Sequence, residues 1–368
     1  MGDPIAIATA VAGYGLGPPG VPLVDEPLDA RSWSELMTLL QRQRLIGLFS
    51  AAVSECAIAV TAEQKDELSA VEEATVSKTL EVERDAIEIV DALANAKIKH
   101  RILKGPAVAH LDYPDPQRRP YEVVNLLVPM DRYDDAVELI MGRGCRRSVP
   151  EPRPGFDRRF GKGTTLLSDD GRVVELHRTI VTGPYAMLTD PNNLFDTSTA
   201  LELHGHELCA LGLEERLLHA CFDARIGDDP PLLLRLRDIV QLALTNQLDI
   251  PHIESISDAW KAQSVVAEAI HHAWETLSVV DIVPLSAWAA GHKSSRTDRR
   301  RLSAYRKVRG RTLVSVPTVR DIRPRRAIVP YLRAVLLPDR RYLEGRYRGH
   351  AHRWWRGSLV MIRRHDHR

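Results

Sequence analysis

The stretch RILKGPAVAHLDYPDPQRRPYEVVNLLV, residues 101–128, constrains the fold more than any other part of the chain. Two short apolar runs, Arg101 to Leu103 and Val123 to Val128, have the continuous hydrophobic pattern of buried strands. Between them lie a Lys104-Gly105-Pro106 break, room for a short helix, and a Pro-rich loop ending in Arg118, Arg119 and Pro120. Strand, tight turn, helix and second strand in so short a span require a sheet with helices laid on it. Polar residues at the turn and at the second strand give this unit the skeleton of a nucleotide-handling site.

Upstream, Trp33, Leu36, Leu39, Leu40 and Leu45 fall near helical spacing behind an Asp or Ser cap, with a turn expected near Ile46-Gly47. Thr61-Ala-Glu-Gln64 is a capping-box pattern, and the periodic stretch behind it runs to about Ala96 as one long helix or two. The first 28 residues are broken by glycine and proline and lack the basic start of a secretory signal, so a flexible extension is expected there. Beyond the second strand, Met130 to Gly144 reads as a helix, and CRRSVPEPRPGFDRRFGKG as a surface loop over the site. Asp169-Asp170-Gly171 between apolar runs marks a hairpin that delivers Val173 to Arg178. From Thr199 to about Leu248, and again from about Ser255 to Val279, the spacing is helical. The expected fold is α+β, with a small mixed sheet and its helices in residues 97–198. A helical region at 29–96, a helical domain at 199–290 and a basic arm at 291–368 flank it.

Composition narrows the functional classes. An apolar share of 44% and a charged share of 27% suit a soluble globular protein, and no apolar run reaches the roughly 18 residues of a membrane span. Four cysteines with no CxxC pair argue against zinc and against a disulfide framework, which points to a reducing cytoplasm. The formal charge of +1 hides an asymmetry. Of 50 Lys and Arg, 23 fall from Lys293 onward beside 5 of the 49 acids, which leaves 27 against 44 in the remainder. That split fits an arm packed on its own acidic body, or an arm that binds RNA or another polyanion.

Lys104-Gly105, then Arg119-Pro120, then the strand from Val123, then Glu175-Leu-His177 follow one another in an order that resembles the uncharacterised nucleotidyltransferase family of the DNA polymerase β-type superfamily. The likeness extends over roughly residues 30 to 345, through QRQRLIGL, GLEERLLHAC, RLRDIVQL and YLRAVLLPDRRYL. It implies transfer of a nucleoside monophosphate from a nucleoside triphosphate, with Mg²⁺, to a hydroxyl or phosphate of a small molecule, peptide or protein. The family pattern opens its second strand with Asp-x-Asp, and here those positions hold Val123 and Asn125. Glu175 matches the family's third acidic position.

On a strand, alternate residues share a face, so Val123, Asn125 and Leu127 point one way. The resemblance then assigns Lys104, Gly105, Arg118 and Arg119 to the triphosphate and Asn125, Glu175 and His177 to the catalytic cleft. Glu175 is the remaining metal ligand, or else a partner for Arg119. Glu122 joins it only if a bulge turns that side chain to the other face. Three readings stand: a nucleotide- or partner-binding protein with a degenerate metal site, active metal-dependent transfer with His177 or Glu175 as base, and polyanion binding by the basic arm. Lys162, in Gly161-Lys162-Gly163, fails the P-loop spacing and is set aside. His350, His352, His365, His367 and the Trp354-Trp355 pair read as parts of a solvated or docked tail.

Overall fold

The computed structural model describes residues 3–17, 23–227, 230–280, 282–305, 307–308, 311–312 and 315–347. The four terminal histidines and the tryptophan pair lie outside these residues.

Helix α1 (Pro4–Gly13) precedes α2 (Ala30–Gln43), α3 (Ile46–Ser54) and α4 (Ala62–Asn95). The expected flexible extension is thus partly a docked helix. Ile7, Ala8, Val11 and Ala12 are buried, and the buried guanidinium of Arg237 donates to the carbonyl oxygens of Ala12 and Tyr14 at the C-terminal end of α1. Glycine and proline obscured it, because the apolar residues of α1 cover every side and leave no periodic stripe. Helix α4 is one helix of 34 residues, and both halves of its Thr61–Gln64 capping box form.

The sheet is built from β1 (Arg101–Ile102), β2 (Val124–Leu127), β3 (Cys145–Arg147), β4 (Gly163–Ser168), β5 (Val173–His177), β6 (Thr199–Leu203) and β7 (His206–Ala210). Helices α5 (Pro106–Asp112), α6 (Tyr133–Met141) and α7 (Phe156–Arg159) interrupt the strands. Spatial order is β3-β4-β5-β2-β1-β7-β6. Strand β2 runs parallel to β5 and antiparallel to β1, and β1 runs parallel to β7, so the sheet is mixed. The helical reading of 199–210 is overturned: this segment is the β6–β7 hairpin, turned at His204-Gly205 with both residues at positive φ. Leu201, Leu203, Leu208 and Ala210 are buried at alternate positions, and the two-residue period was hidden by the helical stretch that follows. The start of the expected surface loop is likewise strand β3, paired with β4.

Behind the sheet, α8 (Leu213–Phe222), α9 (Leu233–Thr245), α10 (Ile250–Ala259), α11 (Gln263–Thr276) and α12 (Pro284–Gly291) form a helical layer. It shares one apolar core with α1 to α3, whereas α4 to α6 pack with the sheet in a second. The arm contributes α13 (Arg296–Ser303), α14 (Ser315–Asp321), α15 (Ile328–Leu336) and α16 (Arg340–Tyr347). Arm and body do meet, but chiefly through aromatic packing. Tyr331 of α15 sits 5.3 Å from Phe160 and 6.1 Å from Phe156 between ring centres. One ion pair across this junction has the reverse of the expected sense, with Arg153 of the body on Asp339 of the arm at 3.1 Å. Among the described residues no helix is long and apolar enough to cross a membrane.

Candidate active site

The parallel pairing of β2 with β5 sets Asn125 beside Glu175 in register. His177, two residues along β5, turns Nε2 toward both, 3.3 Å from Asn125 Oδ1 and 3.4 Å from Glu175 Oε2. Asn125 Nδ2 donates to Val123 O, which orients the amide and leaves Oδ1 as the acceptor facing the ring. Two acceptor oxygens at Nε2 require that nitrogen to carry the proton. Nδ1 then holds the lone pair, and it is buried without a partner. His177 therefore has no exposed lone pair to act as a base on a ligand in the cleft. Burial, together with Lys162, pushes its pKa down to about 4, so it is neutral at pH 7.

Lys104 follows β1 at the turn where Gly105 adopts a φ of 69°, a conformation glycine reaches without strain. Its Nζ lies 3.3 Å from Asp223 Oδ2, and Arg235 Nε lies 3.0 Å from the same oxygen. Asp223 starts a π-helical turn, Asp223–Gly227, directly after α8, and Arg235 is on α9. Burial opposes the Asp223 charge, but Arg235, Lys104 and Lys162 hold that carboxyl well below its usual range. Lys162 reaches the same cluster at the entry to β4. Gly163 makes this approach possible, since a Cβ there would stand 2.1 Å from Leu176 O and 2.7 Å from His177 Cα. The Lys162 backbone carbonyl accepts from Arg178 N at 2.9 Å, but among the described residues the Lys162 Nζ has no hydrogen-bond or ion-pair partner. Burial and the neighbouring Lys104 bring its pKa down to about 8, against the pull of Asp223 and Glu175. Glu175 is pushed up by burial, yet the hydrogen bond from His177 and the charges of Lys104 and Lys162 hold it well below the usual carboxylate range.

The cleft in front of this cluster is lined by Arg44, Lys104, Gly105, Asn125, Asp223 and Arg235. Its cavity volume is about 40 Å³, room for a water or two and not for a nucleotide, because Lys104 and Arg235 lean inward on Asp223.

Of the residues expected at the site, Lys104, Gly105, Asn125, Glu175 and His177 are brought together. Arg118 is not, since it pairs with Glu55 at 2.6 Å. Arg119 reaches the cleft wall, but its guanidinium is committed to Asp238 through two hydrogen bonds of 3.0 and 2.7 Å, both side chains 7% exposed. Glu175 is consequently a partner for His177 and not for Arg119. No bulge rescues Glu122, which pairs with Arg44 at 3.4 Å and lines a different pocket. Three groups were missed: Asp223 and Arg235 have no local signature, and Lys162 was rejected on P-loop spacing although its flanking glycines mark a close approach. Among the described residues no group of three or more His, Cys, Asp or Glu is arranged to hold a metal ion.

The uncharacterised nucleotidyltransferase family matches residues 29–278, which include every residue of this cluster. The chain belongs to that family. Among solved structures, this nucleotidyltransferase relative is similar to an antigenic nucleotidyltransferase-like protein from Paracoccidioides brasiliensis at 16% identity and a TM-score of 0.34. The similarity covers 54% of this chain and 92% of that one. No curated protein matches it.

Proposed function

We propose that this nucleotidyltransferase-like protein binds the polyphosphate of a nucleoside triphosphate by fixed cations, in a cytoplasmic setting, and has lost the ordinary two-metal transfer reaction. The observation that carries the reading is the convergence of Lys104, Lys162 and Arg235 beside the hydrogen-bonded Asn125–His177–Glu175 group. Two-metal nucleotidyl transfer needs several carboxylates aimed at one point. Here Glu175 sits among two lysines and a histidine, the second carboxylate, Asp223, is taken up by Lys104 and Arg235, and Asn125 and Val123 stand where the family pattern has aspartates. That donor set does not fit Mg²⁺, which binds through carboxylate and phosphate oxygens and gives up its water reluctantly. A phosphate entering the cleft exchanges with Asp223 for Lys104 and Arg235, and Lys162 supplies the third positive charge.

Calorimetric titration with ATP, in Mg²⁺ and then in EDTA, tests this. Binding that persists in EDTA and is lost in Lys104→Ala is the expected result. Binding that requires Mg²⁺ overturns it and restores the metal-dependent transferase. Absence of binding under both conditions removes the nucleotide reading and leaves the basic arm as the functional surface, where a polyanion ligand would dissociate steeply with salt.

A further inference from the structure

A second cavity adjoins the basic cleft and plays no part in the reading above. It lies between the α2–α3 junction, the N-terminal half of α4 and the loop before β2, with a volume of about 530 Å³. That is within the range of roughly 300–1,000 Å³ typical of small-molecule sites. Its walls are mainly apolar, formed by Ile46, Ala70, Val71, Ala74, Pro120 and Tyr121. Ala70 and Ala74 are one helical turn apart, and their small side chains leave the space open. Gln41, Arg44, Glu67, Thr75, Lys78 and Glu122 supply the polar part of the lining. Of these, Glu67 accepts a hydrogen bond at Oε2 from Trp33 Nε1 at 2.7 Å.

Two residues, Arg44 and Tyr121, line both cavities. Arg44 caps α2 in the left-handed conformation, φ 59°, which fixes its backbone at the boundary. Its side chain rests on Glu122 at 3.4 Å, with the two side chains 39% and 63% exposed. An ion pair so exposed is worth about 0–1 kcal/mol and opens readily. The Tyr121 hydroxyl is tied to the buried carboxylate of Glu83, so its ring is a fixed wall. A basic cleft and an apolar pocket with a shared boundary suit one ligand that has an anionic end and a flat uncharged body.

We propose that the apolar pocket takes the nucleoside portion of the same ligand whose polyphosphate occupies the basic cleft, with Arg44 leaving Glu122 to contact the phosphate at the boundary. This inference rests on the reading of the cleft as a polyphosphate site. It assigns recognition of the base to the N-terminal helices and not to the sheet.

The test compares ATP and GTP with inorganic tripolyphosphate by calorimetry on the full chain, in the wild type and in Ala74→Trp. The substituted indole fills the pocket from an exposed helix position, and a thermal melt confirms that the variant folds. The expected result is wild-type affinity at least ten-fold tighter for one of the nucleotides than for tripolyphosphate. Ala74→Trp should remove that advantage and leave tripolyphosphate binding unchanged. Equal affinity for nucleotide and tripolyphosphate in the wild type overturns the inference alone, as does an advantage that survives Ala74→Trp. Failure of tripolyphosphate and nucleotides alike to bind overturns the cleft reading, and the inference with it.

Discussion

Replacing Arg119 by methionine separates a structural arginine from a phosphate-binding one. In the native protein its guanidinium meets Asp238 through two hydrogen bonds, with both side chains only 7% exposed, and Asp238 Oδ1 also accepts from the Tyr113 hydroxyl at 2.9 Å. Removing the cation leaves a buried carboxylate with one neutral donor, and breaking a buried pair in this way costs about 3–5 kcal/mol. Taking an unfolding entropy of roughly 2.1 cal/mol/K per residue over the chain length, a loss of about 4 kcal/mol lowers Tm by about 5 °C. Replacing both partners, as Arg119→Met with Asp238→Leu, should recover most of that loss, because no uncompensated charge stays buried. Scanning calorimetry on the two single variants and the double variant measures the coupling directly. A drop below about 1 °C in Arg119→Met, together with loss of tripolyphosphate binding, would refute the structural assignment and return Arg119 to the ligand.

Three further outcomes follow from the charges in the site and its supporting loop. Lys162 titrates near pH 8, so tripolyphosphate affinity should fall as pH rises from 7 to 9 in the wild type, and that fall should shrink in Lys162→Met; an unchanged slope counts against its contact with the anion. Glu175→Gln removes a carboxylate that supports the Lys162 charge, so competitive acetylation should find Lys162 titrating at lower pH than in the wild type, and no change would place the two groups out of range of one another. Asp157 is pushed up to about 7 by burial and by Glu151, against the pull of Arg147, so its folded pKa lies above its unfolded value. Its contribution to stability is therefore full below about pH 4 and lost as pH rises through 7; Asp157→Asn should flatten the stability profile over that window in urea titrations.

Those parts of the site carried by local pattern were legible in the sequence. Alternation along a strand set Asn125 on the cleft face, and the hairpin signal at Asp169-Asp170-Gly171 delivered Glu175 and His177 to the neighbouring strand. Register did the rest, by pairing β2 with β5 so that Asn125 and Glu175 coincide. Arg119 was misjudged because its partner, Asp238, is 119 residues away on a helix and nothing near Arg119 announces it. Asp223 and Arg235 escaped for the same reason. Lys162 is the instructive case. A P-loop glycine frees backbone amides to cradle phosphate, whereas Gly163 lets β4 close on β5 and so carries the preceding lysine inward. In the fold, the edge hairpin β6–β7 was overlooked because two short alternating runs merge into the long helical stretch of α8. The docking of α1 depends on Arg237, more than 200 residues downstream, and no local pattern could supply it.

The position of β1 bears on how the chain is made. This two-residue strand has β2 on one side and β7 on the other, and β7 leaves the ribosome about a hundred residues later. Until then the nascent sheet has a bare edge beside Lys104, and neither Asp223 nor Arg235 has emerged to meet that lysine. An open strand edge invites pairing with other chains. The segment that completes the charge cluster therefore follows directly behind the hairpin that covers the edge of β1, and Lys104 gains its carboxylate partner only as that edge is paired.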